Sequence, residues 1–117
     1  MAKIPTTTIG NQLEIRRMAT GLWQVAGGHG AIDFDGAVAA MKRLYDAGFT
    51  TFDMADHYGP AEEIAGAFRE RHLDPGTEAS APQIMTKWVP EPGDMSVDLV
   101  HEAVDRAARR LRSERVD

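Results

Sequence analysis

The sequence predicts an α/β protein built on a parallel sheet, and three observations predict it. Short β-branched or apolar runs alternate with longer segments whose apolar residues recur at i, i+3, i+4 and i+7. The alternation repeats at roughly 33 residues per unit, the spacing of right-handed βαβ crossovers. Glycine and proline fall at the boundaries of these runs, where turns belong. The rhythm fits both a doubly wound sheet and a closed β/α barrel, and both place chemistry at the carboxyl ends of strands.

Each element has its own local reason. Thr7, Thr8 and Ile9, a turn at Gly10-Asn11-Gln12, then Leu13, Glu14 and Ile15 read as a short β-hairpin. Arg17 to Ala26 reads as a first buried strand that passes into the loop Gly27-Gly28-His29-Gly30. A helix follows with Asp33 or Asp35 as its N-cap and Phe34, Ala37, Val38, Met41, Leu44 and Tyr45 on its inner face. Gly48 stands where a C-terminal helix glycine belongs. Phe49 to Met54 is the second strand. Pro60 suits a first helical turn, and Ala61, Ile64, Ala65 and Phe68 mark the second helix.

Asp74-Pro75-Gly76 and Ser80-Ala81-Pro82 punctuate a loop before the third strand, Gln83 to Trp88. Pro90 to Gly93 closes that strand, and Ser96 caps a third helix. The expected inner face of this helix is Val97, Val100, Val104, Ala107, Ala108 and Leu111. Glu102 with Arg106, and Asp105 with Arg109, have the favourable i,i+4 order on its outer face. Glu114 to Asp117 reads as the approach to a fourth strand.

Composition narrows the function. The chain has 117 residues, enough for one domain, with 43% hydrophobic and 26% charged residues, a globular balance. The net charge of −5 argues against nucleic acid, and the absence of cysteine excludes disulfides and thiolate metal sites. Met1 to Gly10 lacks an apolar signal core, and no run approaches the roughly 18 apolar residues of a membrane span. A cytoplasmic protein without a membrane partner is the expectation.

The chemistry is concentrated at two strand ends. Asp53 closes the second strand, Tyr58 lies in the loop beyond it, and Lys87 closes the third. A lysine ammonium beside a phenol favours the phenolate, and a carboxylate orients the amine; together they make a proton donor for a carbonyl oxygen. Other constellations are weaker. Asp53, Asp56 and His57 lack helical ligand spacing and a further ligand cluster, so a loop contact explains Asp56 and His57 better than a metal. His29, His72 and His101 are isolated and read as solvated. The glycines at 27 to 30 read as a turn before a phosphate cradle, and the arginines at 106, 109, 110, 112 and 115 as a solvated helix face. The lack of a Gly-x-Gly-x-x-Gly after the first strand argues against a Rossmann sheet.

These residues carry a resemblance to the aldo-keto reductases. It rests on ATGLWQ (Ala19 to Gln24), DAGFTTFDMADHYGPAEEIAG (Asp46 to Gly66), IMTKW (Ile84 to Trp88) and RAARRLRSERVD (Arg106 to Asp117). It spans nearly the whole chain beyond about residue 10. The resemblance implies a partial (β/α)8 TIM barrel: about three and a half βα units preceded by the hairpin, forming over residues 1–117 the N-terminal half of a barrel. It implies an NADPH-dependent oxidoreductase that reduces aldehydes or ketones. Tyr58 would be the general acid, Lys87 its activator and Asp53 the partner of Lys87. Gly21, Leu22 and Asp53 would contact NADP(H), and Trp23 and Trp88 the substrate; many relatives carry threonine where Leu22 stands. Family members supply a catalytic histidine from strand four, beyond the position matching Asp117. An N-terminal fragment that is inactive alone is therefore the expectation. The alternative is a non-catalytic half-barrel interaction module with a vestigial site, self-associating through open sheet edges.

Overall fold

The computed structural model describes residues 3–74 and 81–117. The chain opens with an antiparallel hairpin, β1 (Thr6–Ile9) and β2 (Leu13–Arg16), in the register Thr6↔Arg16 to Ile9↔Leu13. Gly10 and Asn11 both take positive φ, and the Gln12 N–H closes the turn on the Ile9 carbonyl at 3.3 Å. Three parallel strands follow in sequential order: β3 (Ala19–Gly21), β4 (Thr51–Asp53) and β5 (Gln83–Met85). Between and after them run α1 (Phe34–Asp46), α2 (Ala61–His72) and α3 (Val97–Leu111). A sequential parallel order crossed by helices that pack α1 on α2 and α2 on α3 is an arc of a (β/α)8 barrel.

The core lies between strands and helices. Leu22, Phe52, Met54 and Ile84 from the strand side meet Val38, Met41, Ile64, Ala65, Phe68 and Leu111 from the helices. Phe52 and Phe68 are fully buried with ring centroids 6.1 Å apart. Each such side chain contributes about 1.5–3 kcal/mol of burial. The alternation of strand residues then turns Thr51, Asp53, Gln83, Met85 and Lys87 to the opposite, concave face. There the hairpin is stitched to the amino end of the sheet. The Arg16 N–H donates to Thr51 Oγ1 at 2.8 Å, and Thr50 and Thr51 hydroxyls donate to Gln83 Oε1 at 3.1 and 2.9 Å.

Helix boundaries follow the sequence closely. Asp33 caps α1 by accepting from the Gly36 N–H at 3.0 Å, and Ser96 caps α3 by accepting from the Leu99 N–H at 3.2 Å. Gly48 takes its positive φ just past α1. Strands are shorter than expected. Of Arg17 to Ala26 only Ala19–Gly21 is strand: the Leu22 N–H makes a last ladder bond to the Asp53 carbonyl, and the Leu22 carbonyl then accepts from the Val25 N–H as Trp23–Ala26 coils into a 3-10 turn. Phe49 belongs to the exit of α1, its N–H bonding to the Leu44 carbonyl. Thr86 to Trp88 lies past the formal strand, where single ladder bonds continue, the Asp56 N–H reaching the Lys87 carbonyl at 2.9 Å. Pro75 and Gly76 of the expected turn at Asp74 to Gly76, and Ser80 of that at Ser80 to Pro82, lie outside the described residues.

Helix α3 departs most from its expected packing. Its buried residues are Ala103, Ala107 and Leu111, while Val97, Val100 and Val104 remain 69%, 40% and 49% exposed. Helix α3 comes close to α2 at Gly66, where an added Cβ would stand 2.1 Å from the Arg110 carbonyl oxygen. Neither expected i,i+4 pair is among the ion pairs of the described residues. Instead Arg110 pairs with Glu62 on α2, Arg112 with Glu70, and Arg106 stands 3.9 Å from Asp56. Arg69, mostly buried, has its pKa lowered by that burial, with Asp117 opposing the shift. No helix among the described residues is long and apolar enough to cross a membrane.

The contact at Gly66 gives a direct test. The Gly66→Ala variant must push α3 away from α2, and overpacking of this kind costs about 1–3 kcal/mol. Thermal denaturation is expected to show a clearly lower Tm; a Tm equal to that of the parent chain would contradict this packing.

Candidate active site

The register of β4 on β5 builds the site. Phe52 pairs with Ile84 and Asp53 with Met85, so the carboxylate of Asp53 and the amine two residues past Met85 emerge on one side. The ladder continues beyond the formal strands through Met54 N–H to the Met85 carbonyl and Asp56 N–H to the Lys87 carbonyl, both 2.9 Å. Lys87 Nζ donates to Asp53 Oδ1 at 2.8 Å. Both side chains are partly open to solvent, at 48% and 41%.

Tyr58 reaches the pair from the loop between β4 and α2. Its N–H bonds to the Ala55 carbonyl and its own carbonyl accepts from the Ala61 N–H, a tight turn that leads straight into α2. Gly59 makes the turn possible. It takes φ of 53°, and an added Cβ would stand 3.0 Å from the Val25 carbonyl oxygen. The phenol ring is fenced on three sides. Lys87 Nζ lies 5.6 Å from its centroid, the Trp23 ring packs edge-on at 4.9 Å, and the His57 ring at 5.0 Å. Asp53, Tyr58 and Lys87 therefore converge at one rim of the sheet.

The other sequence-derived candidates divide. Gly21 pairs with Asp53 across β3 and β4, and an added Cβ there would meet nothing within 4 Å, so this part of the rim is open. Leu22 buries its side chain in the core, leaving its backbone near Asp53 through a 2.9 Å bond from its N–H to the Asp53 carbonyl. Trp23 is 49% exposed beside Tyr58. Trp88 lines a cavity of about 130 Å³ on the α3 side, with Thr86, Lys87, Ala103 and Val104. It is not among the rings around Tyr58.

Asp56 and His57 form loop contacts. Asp56 accepts from the Val89 N–H at 3.3 Å and from His57 Nδ1 at 3.3 Å. Among the described residues no group of three or more acidic or histidine side chains could hold a metal. Sequence reasoning missed Glu62 and Arg110. An acidic residue in the first turn of an amphipathic helix reads as solvated, and only the three-dimensional approach of α3 and β5 buries it.

The match to the family model for the aldo/keto reductase family extends over residues 17–117. The chain belongs to that family. No curated protein matches the sequence. Solved aldo-keto reductases share the fold. A putative aldo-keto reductase from Pseudomonas aeruginosa superposes with a TM-score of 0.72 at 20% identity, over 96% of this chain and 45% of its own. A Bombyx mori aldo-keto reductase in complex with NADP gives 0.77 at 19% identity, over 100% of this chain and 37% of its own. A glycerol dehydrogenase from Gluconobacter oxydans gives 0.71 at 25% identity, over 96% and 37%. The chain thus spans less than half the length of each of these reductase-fold structures.

The solvent exposure of the Asp53–Lys87 pair sets its energetic weight. Exposed pairs contribute about 0–1 kcal/mol, so Asp53→Asn is expected to leave the Tm within a few degrees of the parent while releasing the Lys87 amine. A large loss of stability in that variant would show that the pair holds the fold together rather than orienting the lysine.

Proposed function

We propose that this chain provides the proton-donating half of an aldo-keto reductase active site that reduces the carbonyl of an aldehyde or ketone with NADP(H). The observation that carries this reading is the Lys87 ammonium, bonded to Asp53 at 2.8 Å and standing 5.6 Å from the centre of the Tyr58 ring. Membership of the family supports the reaction class, and the NADP complex of the Bombyx mori neighbour supports the cofactor.

The residues present fit the nicotinamide end of that cofactor. The open space above Gly21 adjoins Asp53, and the backbone at Leu22 is held against the same strand end, so Gly21, Leu22 and Asp53 would line its seat. Bound NADPH would supply the hydride, which no side chain can provide. The protein's own part is acid catalysis. A substrate carbonyl oxygen accepts a hydrogen bond from the Tyr58 hydroxyl, and as negative charge develops on that oxygen the phenol transfers its proton. Lys87 stabilises the negative charge left on the phenol oxygen, and Asp53 keeps the ammonium aimed at it. Trp23 offers the substrate an exposed ring beside Tyr58, and Trp88 borders the rim from the α3 side.

Because the chain spans less than half of the matching structures, the remainder of the cofactor seat falls to segments outside it. We therefore expect no NADPH consumption by the isolated 117-residue chain with small aldehydes. Joined to the C-terminal barrel half of another family member, it is expected to turn over. Tyr58→Phe should then lower kcat by about 10²–10⁴-fold, the usual weight of a positioned acid. A hybrid whose rate ignores Tyr58→Phe would overturn the assignment.

A further inference from the structure

Glu62 takes no part in the proton transfer, yet its carboxylate is almost completely buried, at 2% exposure. A buried charge is tolerated when paired and hydrogen-bonded, and removing a partner leaves it uncompensated. Both Glu62 oxygens are engaged. Oε1 accepts from the Thr86 hydroxyl at 2.7 Å, and Oε2 from Arg110 Nη1 at 3.1 Å. The same Arg110 nitrogen reaches the Asp56 carbonyl oxygen at 3.5 Å. One carboxylate thus links the residue before Lys87, the last turn of α3 and the loop that carries Tyr58.

Asp56 completes the grip from the other side. Its N–H donates to the Lys87 carbonyl at 2.9 Å, and its carboxylate accepts from the Val89 N–H at 3.3 Å. The Lys87 backbone is therefore tied to the 54–60 loop directly, and its neighbours Thr86 and Val89 are tied to that loop through Glu62, Arg110 and Asp56. Lys87 itself has a flexible four-carbon stem and a half-exposed side chain. Asp53 holds the amine at one end of that stem and the backbone anchor holds the other, so the two together set where the ammonium can stand.

We infer that Glu62 and Arg110 are positioning residues: their buried ion pair, through Thr86 and the Asp56 carbonyl, fixes Lys87 against the Tyr58 loop and so holds the ammonium over the phenol ring. This rests on the reading of Tyr58 and Lys87 as the proton-donating pair. A role confined to docking α3 on α2 is already served by Gly66 and the Arg110 carbonyl, which meet one turn further along α2.

The test reads geometry rather than turnover. In the 117-residue chain the Lys87 ε-methylene NMR signal is expected to be displaced by the ring current of Tyr58, a displacement that Tyr58→Leu abolishes. Glu62→Ala should remove most of the displacement while the far-UV circular dichroism stays native. Thr86→Val, which deletes only the hydroxyl donor, should reduce it in part, and serves alone if Glu62→Ala does not fold. A displacement unchanged in Thr86→Val and in folded Glu62→Ala overturns the positioning role and leaves the site reading intact. No displacement in the parent chain would sink the site reading and this inference with it.

Discussion

The site depends on the parallel register of β4 on β5. Side chains along a strand alternate faces, so a slip by one residue would carry Lys87 to the helix side and Thr86 to the concave face. In the observed register Phe52 and Ile84 both enter the core, fully buried, while Asp53 and Lys87 share the rim. The same hydrophobic burial that stabilises the sheet therefore sets the chemistry. No energetic contribution from the exposed Asp53–Lys87 pair is needed to hold that arrangement, since each of the two apolar residues outweighs it.

Around that register the structure adds two clamps at opposite ends. At the amino end, Thr51 and Gln83 tie β4 and β5 to each other and, through the Arg16 N–H, to the hairpin. At the carboxyl end, Glu62 and Asp56 tie the loop of Tyr58 to the segment around Lys87. Between them the sheet face is covered by α1 and α2, whose contact includes Tyr45 against Phe68 at 5.7 Å. The rim that carries Asp53 and Lys87 stays open, with Trp23, Asp53 and Lys87 each around half exposed.

Much of this was legible in the residues. Ser96 announced its helix, and Asp33 or Asp35 the first one, because a side-chain acceptor ahead of an apolar period has one mechanism, capping. Asp53 and Lys87 could be placed at strand ends because the apolar runs before them were short and bounded. The strand lengths were not legible. Phe49 and Trp23 look like strand residues by composition, but the hydrogen bonds that decide, Phe49 to Leu44 and Val25 to Leu22, depend on where the chain turns next. The valines of α3 misled for a related reason. Val97, Val100 and Val104 form a genuine apolar stripe, yet Ala103, Ala107 and Leu111 are the residues that α3 buries. Glu62 was invisible because its burial comes from Thr86 and Arg110, residues distant in sequence.

The most direct measurement of the central claim is the scalar coupling across backbone hydrogen bonds, read by NMR from the amide nitrogens of Met54 and Asp56. The register described requires couplings to the carbonyl carbons of Met85 and Lys87. Couplings from these amides to Thr86 or Trp88 instead would place the lysine on the helix side of the sheet, and Asp53, Tyr58 and Lys87 would not meet at one rim.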